Sequence, residues 1–99
     1  MLTELRGNNM LTELRGNKWV LRSGVKTAQA IERLACFEGC LDYVQVEYRE
    51  LEARLADLRK QGRQRSATFH QVLGQKMTIS AMLSRFRAFD LLPEEDEYE

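Results

Sequence analysis

One proline, six glycines and one tryptophan stand in 99 residues. So little proline and glycine leaves few places where a helix must stop, and it disfavours the many tight turns of a small β-barrel or sandwich. No apolar run reaches the roughly 20 residues of a membrane span, and no short apolar stretch follows a basic start, so neither insertion nor export is expected. A single histidine and two cysteines, Cys36 and Cys40, leave little material for a metal site or a nucleophilic dyad. Between Leu58 and Phe89 there is no acidic residue at all. Charged residues nonetheless make up 30% of the chain and apolar ones 43%, the balance of a folded polypeptide with a net charge of zero. The length suits one small domain and excludes most multi-domain enzymes.

The chain is organised in blocks. Residues 1–23 open with a repeat, in which Met1–Asn8 (MLTELRGN) recurs as Met10–Asn17, and each copy can form one helical turn closed by Gly-Asn. Two such copies are too few and too short for a solenoid, which points to duplication around a second start at Met10. Lys18–Arg22 alternates weakly, but a lone strand lacks a neighbour, so Trp19 is expected to pack on helices.

Residues 24–92 form the helical domain. From Val25 to Gln61 only Gly39 disfavours helix, with Ser23 or Thr27 available to cap the start and Gly62 the stop. Leu34, Leu41, Tyr48 and Leu55 fall at heptad position a, and Phe37, Val44, Leu51 and Leu58 at d. These eight form an assembly seam on a helix about 55 Å long. Thr68-x-x-Gln71 reads as a capping box for a second helix. Gly74 to Met77 can turn, and Thr78 can cap a third helix carrying Ile79, Met82, Leu83, Phe86 and Phe89; one kinked helix over 68–89 is the alternative. The fold class expected is all-α, a long heptad helix with two shorter C-terminal helices packed against part of it as a helical hairpin or bundle.

About 22 helical residues cannot cover the whole seam, and Tyr43 and Val46 add apolar surface at c and f, so self-association is expected. In a parallel homodimer Glu47 meets Glu52 and Arg54 meets Arg59, leaving only Arg33–Glu38 favourable. In an antiparallel one, with Tyr48 opposite Leu51, Glu47 meets Arg54 and Glu38 meets Arg59. Each exposed pair contributes about 0.3–0.5 kcal/mol, enough to favour the antiparallel homodimer.

No catalytic residue is assigned. Cys36 and Cys40 share a helical face and are read as buried, reduced and structural in a cytoplasmic protein; with His70 they would make only three zinc ligands. His70 is expected on a helix rim, Glu50 and Glu52 lie on different faces, and no phosphate-cradling loop is present. No metal, no cofactor and no small-molecule substrate are expected, and the protein is read as not an enzyme. The candidate contacts are the basic residues Arg59, Lys60, Arg63, Arg65, Lys76, Arg85 and Arg87, which face a protein or nucleoprotein partner or, in the alternative, nucleic acid. A helix–turn–helix over Thr68–Phe89, using Lys76, Ser80, Ser84, Arg85 and Arg87, is the module that alternative requires. Residues 93–99 form an acidic tail able to compete for the basic block or to imitate a phosphate backbone.

The stretch from Ser66 to Leu91 (SATFHQVLGQKMTISAMLSRFRAFDL), behind Tyr48–Leu55 (YRELEARL), resembles small helical accessory proteins carried by prophages and conjugative elements of Gram-positive bacteria. That resemblance implies a setting populated by regulators, relaxosome or packaging accessories, and inhibitors of host defence such as anti-CRISPR proteins. It brings no functional residue with it.

Overall fold

The computed structural model describes residues 7–93. Four elements follow in order: strands β1 (Thr12–Arg15) and β2 (Lys18–Leu21), then helices α1 (Thr27–Lys60) and α2 (Ala67–Ala88). The chain divides into two compact units, residues 1–38 and 39–99, with α1 running unbroken from one into the other.

In the first unit β1 and β2 pair antiparallel, with Thr12 opposite Leu21, Glu13 opposite Val20, Leu14 opposite Trp19 and Arg15 opposite Lys18. The connection is the two residues Gly16-Asn17. Gly16 holds φ +60° and Asn17 has no positive φ, the pattern of a type II′ turn whose twist matches the strands. One more bond, from the Arg22 amide to the Leu11 carbonyl at 2.8 Å, extends the ladder. On one face the Arg15 guanidinium meets Glu13 at 2.6 Å. On the other lie Leu14 and Trp19. The second repeat copy is therefore a strand and turn rather than a helical turn, and Trp19 sits on β2 beside Leu14. Identical Gly-Asn pairs behave differently. At Gly7 the turn runs to Met10, whose amide donates to the Gly7 carbonyl at 3.3 Å, and no residue of it has a positive φ. The dipeptide alone does not make the hairpin. The rest of the first copy lies outside the described residues.

The second unit is an antiparallel pair of helices. Helix α1 ends as expected at Gly62, whose φ of +71° lets the Gly62 amide reach the Arg59 carbonyl and the Arg63 amide the Leu58 carbonyl, both at 2.9 Å. Helix α2 is capped by Ser66, whose Oγ accepts from the Phe69 amide at 3.0 Å and donates to the Arg63 carbonyl at 2.8 Å. Thr68 lies inside the helix, so the expected Thr68–Gln71 box does not form. Nor is there a third helix. Helix α2 passes through Gly74 without a turn, and Thr78 Oγ1 donates back to the Gly74 carbonyl at 3.2 Å as an interior residue does. Glycine costs roughly 1 kcal/mol mid-helix, and the apolar edge from Phe69 to Phe86, interrupted by Lys76, outweighs it. Asp90, at φ +60°, closes the helix, with the Asp90 and Leu91 amides bonded to the Arg87 and Phe86 carbonyls.

Two apolar clusters hold the pair together. Leu55, Leu58, Phe69 and Val72 are buried, with Leu51 and Leu73 against them. Val44, Ile79 and Leu83 form the other, flanked by Tyr48, Leu51, Phe86 and Leu92. Early α2 against late α1, and late α2 against middle α1, defines the antiparallel order. Between the clusters Lys76 occupies a core-edge position of α2. Its Nζ lies 3.5 Å from Glu52 and 5.4 Å from the centre of the Tyr48 ring, a polar layer that fixes the register.

Candidate interaction surfaces

Burial divides the expected seam. Val44, Leu55 and Leu58 are buried by α2, and Leu41, Tyr48 and Leu51 are half-buried. Leu34 and Phe37 keep 57% and 56% of their surface exposed, and Ile31, one turn before Leu34, keeps 62%. Helix α1 has 34 residues and spans about 51 Å. Helix α2 has 22 residues and spans about 33 Å, too little to cover the whole stripe. Tyr48 and Leu51, the centre of the expected antiparallel register, are half-buried against the clusters that α1 forms with α2.

The first unit has a feature that periodicity did not reveal. Among its described residues none is buried, while five large apolar side chains (Leu14, Trp19, Ile31, Leu34 and Phe37) are exposed. A hairpin of two such short strands cannot build a core alone. Its connection to the helix includes the half-buried Arg33, whose Nη1 donates to the Asn9 carbonyl at 3.1 Å. An open cleft of about 400 Å³ lies there, lined by Leu11, Lys26, Ala28, Gln29, Glu32, Arg33 and Cys36. Arg33, Gln29 and Cys36 face it from one side of α1; Ile31, Leu34 and Phe37 are not among its walls.

Cys36 and Cys40 are free thiols and both are exposed, which corrects the expectation that they are buried. They fall at c and g of the heptad, off the covered stripe. Among the described residues no group of three or more histidine, cysteine, aspartate and glutamate side chains gathers as a metal site. His70 is exposed on the rim, its ring edge-on to Phe69 at 6.0 Å.

The basic residues do not form one patch. Lys76 is engaged by Glu52 and Tyr48, and Arg59 stacks over the Phe69 ring at 5.2 Å. Lys60, Arg63 and Arg65 are exposed beside Arg59 at the connector, and Arg63 reaches the Gln61 side chain at 3.5 Å. Arg85 and Arg87 lie at the other end of α2, about 30 Å away. Lys76 and Arg85 are about two and a half turns apart, so those two face opposite ways. Arg87, about three turns from Lys76, returns to its side and is half-buried. The helix–turn–helix expected over Thr68–Phe89 is absent, since α2 has no turn. The acidic residues 94–99 lie outside the described residues.

No described helix is long and apolar enough to cross a membrane. Comparison with protein families, characterised proteins and solved structures finds no match to this chain.

Proposed function

We propose that this protein is a non-catalytic helical binding protein that occupies a surface of a protein or nucleoprotein partner. The observation that carries this reading is the first unit's surface, with no buried side chain among residues 7–38 and five large apolar ones exposed. Apolar groups gathered on an element without its own core are stabilised by what covers them, at about 25 cal/mol for each Å² removed from water. The Leu14–Trp19 pair on the hairpin is the anchor of the partner-facing surface, for a tryptophan beside an aliphatic group is the kind of contact that dominates interface energies. The phage or mobile-element setting, and with it inhibition of a host defence complex in the anti-CRISPR manner, rests only on the resemblance of residues 48–55 and 66–91.

The test is capture from a Gram-positive bacterial lysate by tagged wild type, Leu14→Asp and Trp19→Ala. Both substitutions lie outside the core, so circular dichroism of all three should agree. A protein retained by wild type and lost by both variants supports the reading; equal retention by all three removes it. Direct nucleic-acid binding is the second reading, favoured by the four cations Arg59, Lys60, Arg63 and Arg65 at one short connector. Four phosphate contacts would give duplex-DNA affinity a slope of about −3.6 against log salt, about −0.9 per contact. A flat titration at low ionic strength excludes that reading.

A further inference from the structure

The stretch of seam that α2 leaves open is complementary to itself. Beyond the binding reading above, we infer that a second copy of this chain covers Ile31, Leu34 and Phe37, with the two α1 helices antiparallel and Leu34 of each opposite Phe37 of the other. Three observations support the occupant and the orientation. Leu34 and Phe37 are both more than half exposed, at the a and d positions of an unbroken helix, so they can meet as a–d layers. The next layer places Leu41 over Ala30, a small residue beside a large one with no polar group to desolvate, and the overlap ends at Thr27 beside Val44, which α2 already buries. In this register the g positions pair Lys26 with Glu47 twice by symmetry and Arg33 with Cys40, the e positions set Ile31 beside the aliphatic stem of Glu38, and no like charges oppose.

A parallel pair gains Arg33–Glu38 but brings Glu47 onto Glu52 and Arg54 onto Arg59. It also drives the partner along Val44–Leu58, where α2 is packed. The antiparallel overlap is centred on residues that α2 does not cover.

Sedimentation equilibrium over a concentration series tests this on the full chain. Wild type is expected to dimerise reversibly, and Leu34→Glu/Phe37→Glu to sediment as a monomer with unchanged far-ultraviolet ellipticity, because neither side chain belongs to the core. Lys26→Glu exchanges two attractions for two repulsions and should raise the dimer Kd about tenfold, while Lys26→Glu/Glu47→Lys should restore it. A wild type that stays monomeric at its highest soluble concentration overturns the proposal. So does a dimer indifferent to Leu34→Glu/Phe37→Glu, or a charge exchange that fails to restore binding. Any of those results leaves the Leu14–Trp19 reading intact, since lysate capture by those residues is measured separately.

Discussion

Leu34 and Leu55 occupy the same heptad position of the same helix, three repeats apart, yet replacing each by alanine should have very different costs. Leu55 is 1% exposed and packs with Leu58, Phe69 and Val72. Removing its three outer carbons leaves a cavity in that cluster, a change that costs about 2–5 kcal/mol. Stability of about 0.05–0.15 kcal/mol per residue gives the second unit, residues 39–99, roughly 3–9 kcal/mol in all. Leu55→Ala should therefore remove about 3 kcal/mol and leave the helix pair marginal. Leu34 is 57% exposed. Its truncation loses less than about 1 kcal/mol of burial, and alanine's higher helix propensity returns a few tenths. Urea unfolding followed by helical ellipticity in dilute protein reads both changes as midpoint shifts at constant slope. At higher concentration the Leu34→Ala penalty should grow, because a ligand that binds only the folded state, here a second copy, adds to stability by mass action. Equal shifts for the two variants in dilute protein would refute the division of the seam.

Ser66→Ala should cost about 1 kcal/mol through loss of the Phe69 amide's acceptor, whereas Thr68→Ala should be nearly neutral; chemical denaturation compares them directly. Gly74→Ala should stabilise by about 1 kcal/mol, since the residue is helical and a Cβ there meets nothing within 4 Å. A lower melting temperature would restore the hinge that a glycine at this position suggests. Cys36 and Cys40 should both react with a thiol reagent in native buffer at rates close to those in denaturant, an exposed-thiol result that slow biphasic labelling would contradict.

The long helix and its stop at Gly62 are legible in sequence because eight apolar residues repeat without a miss and a glycine follows the last one. Alternation of threes and fours also runs through α2, from Phe69, Val72 and Lys76 to Ile79, Leu83 and Phe86, but a lysine inside the row and a glycine before it suggest a break. Packing against α1 outweighs both. The same row explains why Lys76 reads from sequence as part of a basic surface. Its spacing puts it at the core edge, and only the position of Glu52 and Tyr48 across the interface shows what it meets. The heptad frame itself sets Cys36 and Cys40 off the seam, so their exposure follows from it. The hairpin is hidden by its own repeat. Leu-Arg-Gly-Asn looks like a helical turn in isolation, and the two-residue Gly-Asn loop becomes a hairpin signal only when Thr12–Arg15 and Lys18–Leu21 are set opposite each other.

The division of α1 into a covered and an open half can be measured without mutation. A soluble nitroxide added to dilute protein with labelled leucine methyls should strongly broaden the Leu34 signals and spare those of Leu55, and the Leu34 effect should fade as concentration rises and a second copy covers it. Equal protection of the two leucines in the dilute sample would contradict an open half.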